Sequence, residues 1–421
     1  MPLLVSLIVA ISILLMLIRP RNIPEVYWIG SGVLLLLIFR LVPVELAVHA
    51  VAKALDVCLF LAGMMLLSEL AREQGVFDWL SSITVRKANG SCSRLFALVY
   101  TAGTLVTIFM SNDATAVVLT PAILVAIRKA KVQPLPYLFV CALIANAASF
   151  LLPISNPANL VVFHNHMPRL AGWLLSFAVP CLLSVVATFV ALRWLFRNEL
   201  RATIAGEVEG KPLTHEGKLV LCGLAGMVAV LLTASSLGKD LGLPTCLAAL
   251  AVTTVVSIRA RSNPLALGRE ISWATLALVA GLFVMADAME RVGAMQRTKE
   301  WFVWAENLGP TAGAFITGSF VGIANNLVNN LPLGLIAGST LQAAHAKGLL
   351  AEAVLIGVDV GPNLSITGSL ATILWLIALR KEKIDVSFWD FLKVGMVAMP
   401  VALLASLVAI LLMHMWFQAS W

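Results

Sequence analysis

The chain has 421 residues, 60% of them hydrophobic and only 12% charged, with a mean hydropathy of +0.95. Roughly a quarter of a soluble domain is charged, so this chain lacks the polar material to coat a water-facing surface. Its formal charge of +7 is spread over short loops between apolar runs, which excludes the single basic face of a nucleic-acid binder and points to membrane topology.

Apolar stretches fall near residues 3–18, 25–43, 55–70, 95–127, 137–163, 172–196, 219–237, 243–258, 272–289, 312–343, 350–379 and 390–415. A helix crosses a bilayer in about 20 residues. The first stretch runs into Arg19-Pro20-Arg21 with no small-residue cleavage motif before it. It therefore reads as a membrane helix and not as a cleavable signal. The 95–127 and 312–343 runs are too long for one pass and too short for two passes with a turn. Each is either one long crossing or a hairpin that dips in and returns to its own side.

Lys and Arg favour cytoplasmic loops, and that bias separates the two readings. With single crossings the 29 basic residues divide 15 against 14; with two hairpins they divide 21 against 8. The hairpin reading predicts an all-α polytopic membrane protein of the inner membrane, with both termini periplasmic. It has ten transmembrane helices plus two opposed re-entrant hairpins in an inverted structural repeat. Residues 1–196 hold three spans, the 95–127 hairpin, a broken helix over 137–163 and one more span. Residues 219–421 repeat that order with the 312–343 hairpin and a broken helix over 350–379, and 197–218 form a cytoplasmic linker. Five crossings is an odd number, so the second half enters the slab upside down, as in alternating-access transporters. The mixed charged and aromatic segments Phe77–Ser93 and Gly293–Glu306 precede the hairpins and fit interfacial helices.

Four polar clusters interrupt the apolar runs. They are Ser111-Asn112-Asp113, Ser155-Asn156-Pro157-Ala158-Asn159, Asn325-Asn326-Leu327-Val328-Asn329-Asn330, and Asp359-Val360-Gly361-Pro362-Asn363 leading into Thr367-Gly368-Ser369. Breaks at bilayer depth persist only where protein shields them or where they line a cavity. A shift of 217 residues places Asn112-Asp113 on Asn329-Asn330, and matching breaks in two halves mark a transporter's binding site.

Asp113 and Asp359 are the acids deep in these runs. A charge at the bilayer centre costs about 2.5–3.5 kcal/mol on insertion scales, so both are candidates for proton coupling, with a salt bridge or helix cap as the structural alternative. Asp56, Glu69, Asp287 and Glu290 lie near segment ends, where interfacial solvation accounts for them. The candidate substrate-binding set is Asn112, Asp113, Asn146, Ser149, Ser155, Asn156, Asn159, Asn329, Asn330, Asn363, Thr367, Gly368 and Ser369. Capping of half-helices is the alternative for each amide or hydroxyl. No Lys or Arg stands near the middle of the four clusters, so the set suits a small neutral polyhydroxylated solute better than a polyanion. The six scattered cysteines form no CxxC pair, and no metal site or cofactor is implied. His164, His166, His215 and His345 fall in loops or at segment ends, and no GxSxG or HExxH motif marks a hydrolase.

These clusters closely resemble the ArsB family of arsenite/antimonite efflux permeases, within the ion transporter superfamily. The likeness is carried by Ser111-Asn112-Asp113 through Pro121, Ala142–Val162, Asn329-Asn330-Leu331-Pro332, and Asp359 through Thr372. The resemblance implies export of arsenite and antimonite against inward proton movement, with a soluble ATPase subunit as a partner of some relatives. Asn146 stands where many relatives are expected to carry an acid, which moves the proton-carrier assignment to Asp113, with Asp359 second.

Overall fold

The computed structural model of the chain describes residues 2–163, 167–204, 212–293, 296–346 and 348–419. His164 and His166, and part of the linker over 197–218, lie outside the described residues. The described residues hold twenty α-helices and no strand.

The chain opens with α1 (Pro2–Ile18) and α2 (Glu25–Ile38), joined by a tight turn across which Arg19 pairs with Glu25. The third helix, α3, runs over Val44–Glu73, eleven residues earlier than the apolar run at 55–70 suggests. The reason is that the polar residues in its first half are partnered. Lys53 Nζ sits 3.0 Å from Asp287 Oδ2, and Asp56 Oδ1 accepts a bond from the Gly242 amide at 2.7 Å. Asp56 and Asp287 thus join helices and are not simply solvated at the interface.

Helix α4 (Val76–Lys87) matches the first expected interfacial segment. It is followed by α5 (Cys92–Phe109), a break at Met110–Ser111, the short α6 (Asn112–Ala114), a π-helical stretch over Thr115–Leu119, and α7 (Thr120–Lys129). The chain reverses at that break. Thr107 and Thr115 share a hydroxyl hydrogen bond of 2.8 Å, and a methyl on Gly103 would lie 3.9 Å from Thr115 and 4.0 Å from Leu119. Contacts this regular across the turn make a hairpin, and α4 packs against both of its arms.

Helices α8 (Leu135–Ala147) and α9 (Pro157–Val162) form one crossing broken in the middle, and α10 (Leu170–Leu195) completes the first half. The second half repeats the order with α11 (His215–Ser236), α12 (Gly242–Ala260), the short α13 (Pro264–Glu270), α14 (Trp273–Arg291) and α15 (Gln296–Asn307). A second hairpin, α16 (Pro310–Val328) and α17 (Asn330–Ala343), turns at Asn329. Helix α15 touches both arms: Thr298 meets Thr340 at 3.3 Å, and the rings of Trp301 and Phe320 lie 4.7 Å apart. The chain closes with the broken crossing α18 (Leu349–Val360) and α19 (Leu370–Lys381), then α20 (Phe388–Ala419).

Among the described residues eight helices are long and apolar enough to cross a membrane, and two of these, α5 and α16, are hairpin arms. Adding the shorter apolar α1 and α2 and the two broken crossings gives ten crossings and two hairpins, the all-α polytopic plan expected from the charges. Helix α3 packs on α12 and α14; α10, α16 and α18 pack on or around α20. Close backbone contact makes the second group possible. A Cβ on Gly361 would lie 2.2 Å from the Gly322 carbonyl oxygen, and one on Gly357 would lie 2.5 Å from that of Gly318. Without a lipid-driven hydrophobic gain between helices, small residues that let backbones approach are what hold such interfaces.

Candidate functional site

All four polar clusters come to the centre of the molecule. At the first hairpin tip, Ser111 caps α6 by accepting a bond from the Ala114 amide at 3.1 Å. At the second tip, Asn329 takes φ 78°, which Asn tolerates better than most residues, and its side chain accepts from the Leu331 amide. Asn156 caps α9 through Ala158, and Ser369 caps α19 through Thr372. Four half-helix starts therefore point inward, each leaving backbone N–H groups without intrahelical partners.

A cavity of about 170 Å³ reaches this centre. One wall is a stripe of α3, comprising Phe60, Leu61, Met64, Met65, Ser68 and Glu69, together with Glu270, Ser272 and Thr275. The facing wall comes from the first hairpin, Pro157 and α19, with Ser111 and Asp113 as its polar members. The mouth is marked by exposed Glu270 and Ser272 and by Glu69, which is bound to Arg72 through two guanidinium nitrogens. Arg72 and Arg269 adjoin this mouth and are among the 21 basic residues that the hairpin topology gathers on one side, the basic face, so the cavity opens toward that side.

A narrower extension of about 10 Å³ continues past Asp113 between the two hairpin tips. Its polar lining is Asn112, Asp113, Asn156, Asn330 and Thr275, and the first residues of α17 and α19 complete it. Asn329 borders a separate small space with Glu25, Pro332 and Ile373. Of the expected set, Asn112, Asp113, Asn156, Asn329 and Asn330 thus face open space.

The remaining expected residues line none of these three spaces; they build the frame. Asn146 donates to Asn363 Oδ1 at 3.0 Å and to Thr372 Oγ1 at 3.3 Å, while Asn363 donates to the Leu143 carbonyl at 2.9 Å. Ser149 donates to the Asn146 carbonyl at 2.7 Å, and Ser155 donates to the Ile108 carbonyl at 2.8 Å. The Asn159 amide donates to carbonyls of Ser149, Leu152 and Pro153, closing the break between α8 and α9. Thr367 donates to the Asn326 carbonyl at 3.0 Å, and Ser369 shares a 2.8 Å bond with Thr372. Gly368 sits where a Cβ would lie 2.5 Å from Pro362 Cα, so only glycine fits. Asp359 is fully buried; its Oδ1 accepts from Asn156 at 2.7 Å and its Oδ2 has no hydrogen-bond partner among the described residues. The two deep acids therefore differ: Asp113 lines the cavity and Asp359 is sealed behind Asn156.

Sequence reasoning missed Thr275, Ser68 and Glu270, and read Glu69 only as an interfacial acid. The α3 face recurs at Leu61, Met65 and Glu69, a helical spacing that could have flagged Glu69. An isolated Thr near the start of an apolar helix carries no such mark. Asn326 was legible only as part of its cluster. Its amide donates to the Gly361 carbonyl at 3.0 Å and its Oδ1 accepts from Ser365, tying the second hairpin to the second broken crossing.

The citrate transporter family (CitMHS) matches residues 4–361 of the chain. An arsenical pump membrane protein of Escherichia coli is 26% identical over 365 residues, covering 83% of this chain and 84% of that protein. One from Yersinia enterocolitica is 24% identical over 371 residues with the same coverage. The solved structure of the YdaH transporter of Alcanivorax borkumensis superposes with a TM-score of 0.61 at 16% identity, over 89% of this chain and 88% of that one. It shares the fold. The chain belongs to the citrate transporter family of multi-pass membrane transport proteins, and within it is similar to the arsenical pump membrane proteins.

Proposed function

We propose that the chain is a secondary transporter that exports neutral As(OH)₃ and its antimony counterpart from the cytoplasm in exchange for protons. The observation that carries this reading is the charge of the cavity. Asp113, Glu270 and the Arg72-paired Glu69 line it, and no Lys or Arg does so among the described residues. A polycarboxylate would meet like charge there, at a cost that rises as water is excluded. A small trihydroxy solute instead finds the Asn112, Asn156 and Asn330 amides and the inward helix starts.

In this reading the basic face is cytoplasmic, the termini are periplasmic, and the membrane is the inner one. Residues 1–196 and 219–421 act as opposed halves around the site. The solute enters from the cytoplasm and sits beside ionised Asp113. On the far side a proton taken up by Asp113 loosens the solute, and that proton leaves to the cytoplasm when the cavity reopens. A ligand shifts such an equilibrium only through different affinities for the two states, so proton and solute must weaken each other's binding. Asp359, held by Asn156, orders the break and is the second proton candidate. A soluble ATPase subunit is a partner to be sought on the cytoplasmic face.

The rival reading is a sodium-coupled carboxylate or oxyanion transporter, or a sodium/proton antiporter, of the same architecture. Cells stripped of their own exporter and expressing this chain should hold less arsenite than controls, and an uncoupler should erase the difference. Efflux that ignores the uncoupler but requires sodium would overturn the proton reading.

A further inference from the structure

Thr275 is the one polar side chain that the α3/α14 wall contributes to the extension between the hairpin tips. It also lines the main cavity, so it stands at the junction of the two spaces, as Asp113 does from the opposite wall. Its hydroxyl pairs with that of Ser272 at 2.8 Å. Ser272 occupies the N-cap position of α14, yet its side chain makes no capping bond. The two hydroxyls are therefore not spent on starting the helix, and the pair holds Thr275 in one place.

We propose that Thr275 is a solute-contacting residue, which grips one hydroxyl of a neutral polyhydroxylated solute while Asp113 and the hairpin amides hold the others. The proposal rests on the transport reading above and adds the group on the second wall. A Thr hydroxyl both donates and accepts, so it matches an uncharged X–OH group and gives a carboxylate only one bond. The grip spans two walls of a cavity that is open to the basic face. It therefore belongs to the conformation open to that face, and affinity should be higher on that side.

The test is arsenite uptake into everted vesicles, with wild type, Thr275→Val and Thr275→Ser measured together. Loss of one neutral hydrogen bond corresponds to about a three- to tenfold change in affinity. Thr275→Val should raise KM by that factor at nearly unchanged kcat, with thermal stability lowered by no more than the loss of its one exposed bond to Ser272, and Thr275→Ser should restore it. Uptake by right-side-out vesicles should show little change in KM. A wild-type KM in Thr275→Val, or a fall in kcat alone, overturns the proposal while leaving the transport reading intact. Wild-type vesicles that take up no arsenite would overturn both.

Discussion

The amide pair Asn146 and Asn363 joins the two broken crossings, 217 residues apart in sequence. Asn146→Ala removes two donated bonds, to Asn363 Oδ1 and to Thr372 Oγ1, and leaves a fully buried acceptor unpaired. Each such bond contributes a net of about 0.5–1.5 kcal/mol, so the single substitution should cost about 1–3 kcal/mol. Couplings between polar side chains inside membrane bundles average about 0.6 and reach about 1.7 kcal/mol. The double variant Asn146→Ala/Asn363→Ala should therefore be less destabilised than the two singles summed, by an amount in that range. Reversible unfolding in mixed detergent micelles measures all three variants against wild type. Additivity within about 0.3–0.5 kcal/mol, the normal result for unconnected sites, would refute the cross-linking role. Asn146→Asp sharpens the test. Its ionised form offers Asn363 Oδ1 no donor, whereas the protonated form can donate one bond, so this variant should gain stability relative to wild type as pH falls. A variant whose deficit is independent of pH would speak against the arrangement.

Other substitutions probe the frame. Gly361→Ala places a methyl 2.2 Å from the Gly322 carbonyl oxygen and should cost about 1–3 kcal/mol or prevent folding; Gly226→Ala, with nothing within 4 Å, should be neutral in the same thermal melt. Lys53→Met should destabilise more than Lys53→Met/Asp287→Asn, because the single change strands Asp287 beside α3 while the double removes the charge. Equal melting temperatures would contradict that pairing. For orientation, single cysteines at Lys131 and Lys383 should react with an impermeant maleimide only from the cytoplasmic side, and those at Gly238 and His345 only from the periplasmic side. Mixed labelling would break the hairpin topology.

Charge counting made the hairpins legible, because a span read as a single crossing misplaces every loop after it. Thr107 against Thr115 and Thr298 against Thr340 agree with that reading. The polar breaks were legible too, since Asn and Ser have few reasons to interrupt apolar helices. Their separate tasks were not. Asn159 and Asn330 look alike in sequence, yet one staples its own loop and the other borders the tip space. Asp113 and Asp359 differ in what the rest of the fold lays over them, and sequence order does not carry that. The early start of α3 was hidden for the same reason: Lys53 and Asp56 resemble interfacial residues until their partners on α14 and α12 are known.

The proposed transport cycle depends on Asp113 as the proton-bearing group shared with the solute. Everted vesicles carrying Asp113→Asn, set beside wild type and Asp359→Asn, should be energised with a pH gradient and assayed for arsenite accumulation. Asp113→Asn should fall to the level of empty vesicles while still binding arsenite, and Asp359→Asn should keep part of its gradient-driven uptake. Full pH-driven accumulation by Asp113→Asn would contradict the account.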